Sequence, residues 1–187
     1  MSLELFKSSL QNAPIVKKGG YSYFIHPITD GIPEIKPEIL QEITQFLEKQ
    51  MQNLEHIDKI VTIEAMGIPI ATCLSQRTKI PFTIIRKKIY NLPDEICVHQ
   101  KTGYSESKLS INGIKRDEKV IIVDDVLSTG GTLRSVLSAL KSLNVDVKRV
   151  FIAVNKSKVA SQIEKEFNVK ITTLIDLEII NGRIIVK

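Results

Sequence analysis

Residues 120–133 read VIIVDDVLSTGGTL, and the order of chemistries in this stretch decides the fold. The aliphatic run Val120 to Val123 leads straight into Asp124 and Asp125, and then into small residues that include Gly130, Gly131 and Thr132. A β-branched run of this kind marks a buried strand. Two adjacent carboxylates at its end repel each other and lose hydration near a core, which is costly unless hydroxyls, water or a cation satisfy them. The segment that follows offers unobstructed backbone N–H groups at the start of a helix, where the dipole and the unpaired donors favour a phosphate. Ser128, Thr129 and Thr132 add hydroxyls. A ligand that answers both demands carries a diol and a phosphate on one small body, as a ribose 5-phosphate does.

Working outward, the chain alternates strands and helices. Residues 37–54 place Ile39, Leu40, Ile43, Phe46, Leu47, Met51 and Leu54 on one helical face, with Pro37 suited to the first turn. KIVTI (59–63) reads as a buried strand that breaks at Gly67, followed by a helical stretch to about Gln76. PFTIIRKK (81–88) and EKVIIVDD (118–125) give two further strands. Between them, residues 89–113 read as two thin strands around the polar centre KTGYSES, a mobile loop. Leu133, Val136, Leu137, Leu140 and Leu143 form a helical stripe, 148–154 is another buried strand, SQIEKEF a helix and KITTLI a strand. The Asn-Gly step in LEIINGRIIVK signals a closing hairpin. This order predicts an α/β protein, its parallel sheet covered on both faces and joined by right-handed crossovers.

Composition bounds the function. With 187 residues, 43% hydrophobic and 25% charged, the chain fits one domain, 1–187, and has no aliphatic run long enough for a membrane span. Glu4 and Lys7 interrupt what would have to be the apolar part of a signal peptide, which predicts a cytoplasmic protein. Cys73 and Cys97 form no CxxC pair and His26, His56 and His99 are scattered, so neither zinc nor a disulfide framework is expected. The net charge of +5 is spread among interleaved acids, and no helix-turn-helix or aromatic-rich RNA motif is legible. A local anionic ligand accounts for it without a stable nucleic acid partner. There is no GxxxxGK[ST] and no GxGxxG after the first strand, which disfavours nucleoside triphosphatases and dinucleotide enzymes.

VIIVDDVLSTGGT resembles the phosphoribosyl-pyrophosphate signature of the type I phosphoribosyltransferases. VTIEAMGIPIA, IIRKKIYNLP and QKTGYS are similar to segments of adenine phosphoribosyltransferases and, more closely, of archaeal hypoxanthine/guanine and bacterial xanthine enzymes. The resemblance implies the type I fold: a central, mainly parallel sheet flanked by helices, with a mobile loop and a small hood from about 1–35 and 170–187. It also implies a Mg²⁺-dependent glycosyltransferase of purine salvage, a homodimer, that joins phosphoribosyl pyrophosphate to N9 of hypoxanthine or guanine, giving IMP or GMP and pyrophosphate. Adenine or xanthine is the alternative substrate. A transcription regulator that senses phosphoribosyl pyrophosphate is the alternative of another class.

By that resemblance, Asp124 and Asp125 hold the ribose hydroxyls, partly through Mg²⁺ and water, and are counted with Tyr104 as catalytic. Leu127, Ser128, Thr129, Gly130, Gly131 and Thr132 wrap the 5-phosphate. Glu64, Ala65, Met66 and Gly67 cradle the pyrophosphate through backbone groups, with Arg86, Lys87, Lys88 and the loop residue Lys101 neutralising its charge. Lys156 reads the exocyclic oxygen of a 6-oxopurine, since an ammonium only donates. Ile25 and His26, with Tyr23 and Phe24, form the purine hood. The chain also departs from its models. Adenine enzymes usually carry Arg at the place of Met66 and Glu at that of Gly103, and mammalian-type hypoxanthine enzymes carry Asp at that of Ser128, so no familiar general base is present.

Overall fold

Five parallel strands and one antiparallel strand make the central sheet of this computed structural model, which describes residues 2–19, 21–101 and 106–187. Helix α1 (Glu4–Gln11) precedes a hairpin of β1 (Ile15–Lys18) and β2 (Tyr21–Phe24), a single turn α2 (Pro27–Asp30) and the long helix α3 (Pro37–Met51). Next come β3 (Lys59–Ile63), α4 (Gly67–Thr78) and β4 (Phe82–Ile85), then a separate antiparallel pair, β5 (Ile96–Lys101) and β6 (Glu106–Ile111). The chain closes with β7 (Lys119–Leu127), α5 (Gly131–Ser142), β8 (Asp146–Asn155), α6 (Ala160–Phe167), β9 (Ile171–Ile180) and β10 (Arg183–Val186).

The sheet order is β10-β9-β8-β7-β3-β4. From β3 the chain steps one way to β4, and from β7 it steps the other way to β8 and β9. The order therefore reverses between β3 and β7, and such a switch point opens a crevice at the carboxyl ends of the two strands. The loops after Ile63 and after Leu127 lie at that crevice.

The side-chain alternation of β7 explains why it sits in the middle. Ile121 and Val123 join the core under α1, α3 and α4, with Phe6, Leu10, Ile43, Leu47, Ile70 and Leu74. Val120 and Ile122 join the opposite core under α5 and α6, with Leu133, Val136, Leu137, Leu140 and Ile163. Each buried Val or Ile contributes about 2 kcal/mol, so a strand buried on both faces tolerates a polar residue only at its end.

Local sequence sets the boundaries. Pro37 occupies the first turn of α3, which ends at Met51, where Leu54 N–H bonds Met51 O in a turn rather than extending the helix to 54. The strand expected over 81–88 is shorter because Arg86 leaves β3 and bridges Ser110 of β6 through a reciprocal pair of backbone bonds. Asn181 and Gly182 take positive φ of 49° and 73° in the turn between β9 and β10, as the Asn-Gly step predicted. Ile171 to Asp176 pair with β8 in the main sheet, whereas β10 pairs with Leu177 to Ile180, beyond the end of β8. Among the described residues, no helix is long and apolar enough to cross a membrane.

His26, expected in the purine hood, belongs instead to the core. It is 1% exposed, caps α2 by accepting the Ile28 N–H at Nδ1 (3.1 Å), and lies 3.0 Å through Nε2 from Ser9 Oγ. Ser9 Oγ in turn donates to Phe6 O at 2.7 Å. Nδ1 must stay unprotonated to accept, so the Nε2 proton goes to Ser9 and neither nitrogen is left for a base. Burial, opposed by nearby Asp30, lowers the His26 pKa from 6.5 to about 4. Below 6.5 the unfolded chain takes up a proton that the folded chain refuses, so stability is lost as pH falls through this window. The expected loss at this residue is about 2 kcal/mol between pH 6.5 and 5. His26→Asn keeps a capping oxygen and removes the titration. Urea unfolding at the two pH values should show a smaller acid loss in His26→Asn than in the wild type by that amount; equal slopes would contradict the placement.

Candidate active site

The loop after β3 meets the end of β7 at Gly67. A Cβ there would stand 2.3 Å from Thr62 Oγ1, 2.9 Å from Asp124 Oδ1 and 3.0 Å from Val123 O, so only glycine lets α4 start this close to β7. The Glu64–Ala65 peptide just before it is cis. The Met66 side chain packs on Gly31, with its Sδ and Cε 3.4 Å from where a Cβ would sit.

Asp124 and Asp125 end the aliphatic part of β7, and the Asp125 N–H donates to Asp124 Oδ1 at 3.1 Å. Asp125 is buried. Desolvation, and then the neighbouring Asp125 charge, hold the Asp124 carboxyl well above the usual range. Desolvation likewise pushes Asp125 up to about 6. Lys87 lowers both slightly by its charge, while Asp30 of α2 acts in the opposite sense on Asp125. A pair held this way gains from any ligand that brings hydroxyl donors or a cation.

Beyond the pair, Ser128 and Thr129 are exposed, and Gly130 caps α5 at φ +77°. A Cβ on Gly130 would lie 2.7 Å from Ile163 Cδ1, so conformation and space both demand glycine. The turn borders an open cavity of about 400 Å³ whose walls include Asp124, Asp125, Thr129, Gly131, Lys87 and Tyr23. The whole predicted phosphate segment, Leu127 to Thr132, lines it together with Glu64.

The predicted cations separate. Lys87 lines the cavity. Arg86, expected to be free for pyrophosphate, is bound to Glu64, with Nε 2.6 Å from Oε2. The Lys87 N–H donates to the same oxygen at 3.1 Å, and this bond, followed by the Arg86 guanidinium, keeps the Glu64 carboxyl below its usual range. Lys88 faces the Tyr90 ring, 5.5 Å from its centroid. Lys101 ends β5, and Tyr104 lies outside the described residues.

Of the expected hood, Lys156 and the aromatic residues come together. Lys156 Nζ stands 4.9 Å from the Phe24 ring centroid and 5.9 Å from that of Tyr23, and burial lowers its pKa. Ile25 is half-buried and donates its N–H to Pro14 O. Sequence reasoning missed Asp30. Its carboxylate accepts from His26 N–H and Thr29 Oγ1, and its charge reaches both Lys156 and Asp125. The Asp-Gly turn was visible, but nothing local indicated its distant partners.

Among the described residues, no cluster of three or more His, Cys, Asp or Glu side chains is arranged to hold a metal ion. Two hard carboxylates alone suit Mg²⁺ only if substrate and water oxygens complete its shell, a mode Mg²⁺ commonly adopts.

Residues 33–185 match the phosphoribosyl transferase domain model, and the chain belongs to that family. It is 50% identical over 182 residues to a hypoxanthine/guanine phosphoribosyltransferase of Methanothermus fervidus, covering 97% of this chain and 96% of the relative. It is 48% identical over 184 residues to the enzyme of the same name from Methanobacterium paludis, covering 98% and 96%. Among solved structures, the adenine phosphoribosyltransferase of Thermoanaerobacter pseudethanolicus superposes with a TM-score of 0.76 at 24% identity, covering 94% of this chain and 99% of the other. The fold is therefore that of the type I phosphoribosyltransferases.

Gly67→Ala should force the loop after β3 away from the end of β7. Overpacking of this kind costs about 1–3 kcal/mol. A urea titration should show that loss together with weakened binding of phosphoribosyl pyrophosphate; unchanged stability would mean that Gly67 does not pack against β7 as described.

Proposed function

We propose that this chain transfers the 5-phosphoribosyl group of phosphoribosyl pyrophosphate to N9 of hypoxanthine or guanine, forming IMP or GMP and pyrophosphate in purine salvage. The observation that carries the reading is one cavity lined by an acidic pair, a glycine-started helix and Tyr23, with Lys156 against the same aromatic wall. The archaeal relatives named as hypoxanthine/guanine enzymes support the choice of base.

In this reading Asp124 and Asp125 hold the ribose hydroxyls, and the amides and hydroxyls of 127–132 hold the 5-phosphate. Backbone groups of 64–67 and the Lys87 ammonium hold the pyrophosphate. The C1–oxygen bond breaks with its electron pair going to pyrophosphate, N9 bonds to C1 with inversion, and N9 gives up its proton. Positioning and charge stabilisation carry most of the rate. Asp124 and Asp125 would hold Mg²⁺ largely through ribose hydroxyls and water, and the ion, when bound, neutralises charge on the departing pyrophosphate. The N-terminal segment and the β9–β10 ribbon serve as the hood. A homodimer in the cytoplasm completes the proposal and rests on the family resemblance.

Lys156 decides between bases. Its ammonium donates to O6 of a 6-oxopurine and has nothing to offer the amino group of adenine. Purified protein with phosphoribosyl pyrophosphate and Mg²⁺ should consume hypoxanthine and guanine with a kcat/KM far above that for adenine, xanthine being the informative fourth arm. Lys156→Met should cut kcat/KM for hypoxanthine about 10–100-fold, the range of a lost hydrogen bond to a charged group. Turnover of none of the four bases, or of adenine alone, would overturn the proposal.

A further inference from the structure

Lys156 is a flexible side chain on a turn, yet its backbone is fastened on both sides. Its own N–H donates to Leu127 O at 2.9 Å, which ties it to the end of β7 where the phosphate turn begins. The next N–H, that of Ser157, donates to Asn155 Oδ1 at 3.1 Å, with Ser157 Oγ at 3.4 Å from the same oxygen. Asn155 is in turn fixed by Nδ2 donating to Asp176 Oδ1 at 2.8 Å across the β8–β9 ladder. Asn155 itself is buried, 8% exposed. Packing does not hold the turn by itself, because a second open cavity of about 380 Å³, lined by Asn155, Ser157, Lys158 and Asp176 among others, lies beside it.

We propose that Asn155 and Asp176 form a polar clamp that positions Lys156 for the purine: specificity-determining residues that touch no substrate and act through the turn they hold. The clamp rests on the reading of Lys156 as the base-recognising residue. Its logic is geometric. Two hydrogen bonds fix the peptide on either side of Lys156, and a lysine whose main chain is fixed loses less freedom when its ammonium meets an oxygen than one on a loose turn.

The chemistry of the pair allows a swap. Asn155→Asp leaves an acceptor for Ser157 N–H but sets two carboxylates against each other. Asp176→Leu removes the acceptor that orients the Asn155 amide, whereas Asp176→Asn keeps a neutral amide oxygen in its place. Asn155→Asp with Asp176→Asn restores one donor and one acceptor, with the charge moved across the ladder. Steady-state kinetics should show KM for hypoxanthine raised about tenfold in Asn155→Asp and in Asp176→Leu, with KM for phosphoribosyl pyrophosphate within twofold of wild type. Most of the Asn155→Asp loss should be recovered in the double variant. A merely structural role would move both KM values with the thermal midpoint and would not be rescued.

Lys156→Met serves as the reference. If it raises KM for hypoxanthine and the single clamp variants do not, the clamp is wrong while the reading of Lys156 stands. If Lys156→Met leaves that KM unchanged, the reading of Lys156 fails and the clamp with it.

Discussion

Two carboxylates side by side in a desolvated place are the constraint around which the rest is arranged. Asp124 and Asp125 follow a run of aliphatic residues buried on both faces of a parallel sheet. Both carboxyls resist ionisation because burial removes water; the Asp125 charge raises Asp124 further, and the Asp30 charge adds to the rise at Asp125. Their partner has to come from outside. The turn that follows supplies the complementary demand, since N–H groups that open a helix and the α5 dipole favour negative charge. Acid beside anion cradle selects a small molecule that carries hydroxyls and phosphate together, and excludes one that carries only either.

Topology makes this economical. Reversal of strand order between β3 and β7 leaves a gap at the carboxyl edge, and Gly67 lets the start of α4 press against the end of β7. α1 packs against β10 and α3, so the two ends of the chain meet, and the β1–β2 hairpin brings Tyr23 to the cavity wall.

What was legible in the sequence was local chemistry. The β7 motif, the α3 and α5 stripes and the Asn181-Gly182 turn announce themselves locally, although α3 stops at Met51, short of Leu54, and α5 at Ser142, short of Leu143. What was not legible depended on partners far along the chain. His26 looked available for a base, but Ser9 and Ile28 occupy both of its ring nitrogens. Arg86 looked free for pyrophosphate, yet Glu64, on a different strand's loop, holds it. Of the three adjacent cations Lys87 lines the cavity, while Glu64 holds Arg86 and Lys88 lies over the Tyr90 ring. The eight residues of α1 are too few to be stable alone and gain their order from packing on other elements. Composition and spacing reveal which chemistry is present, and the fold decides which groups remain unpaired.

A crystal structure of the protein with a nucleoside 5′-monophosphate and Mg²⁺ measures the central claim most directly. The account predicts ribose hydroxyls within hydrogen-bonding reach of Asp124 and Asp125, and the phosphoryl oxygens on the amides that open α5. A nucleotide bound elsewhere, with that turn empty and the carboxyls unengaged, would contradict it.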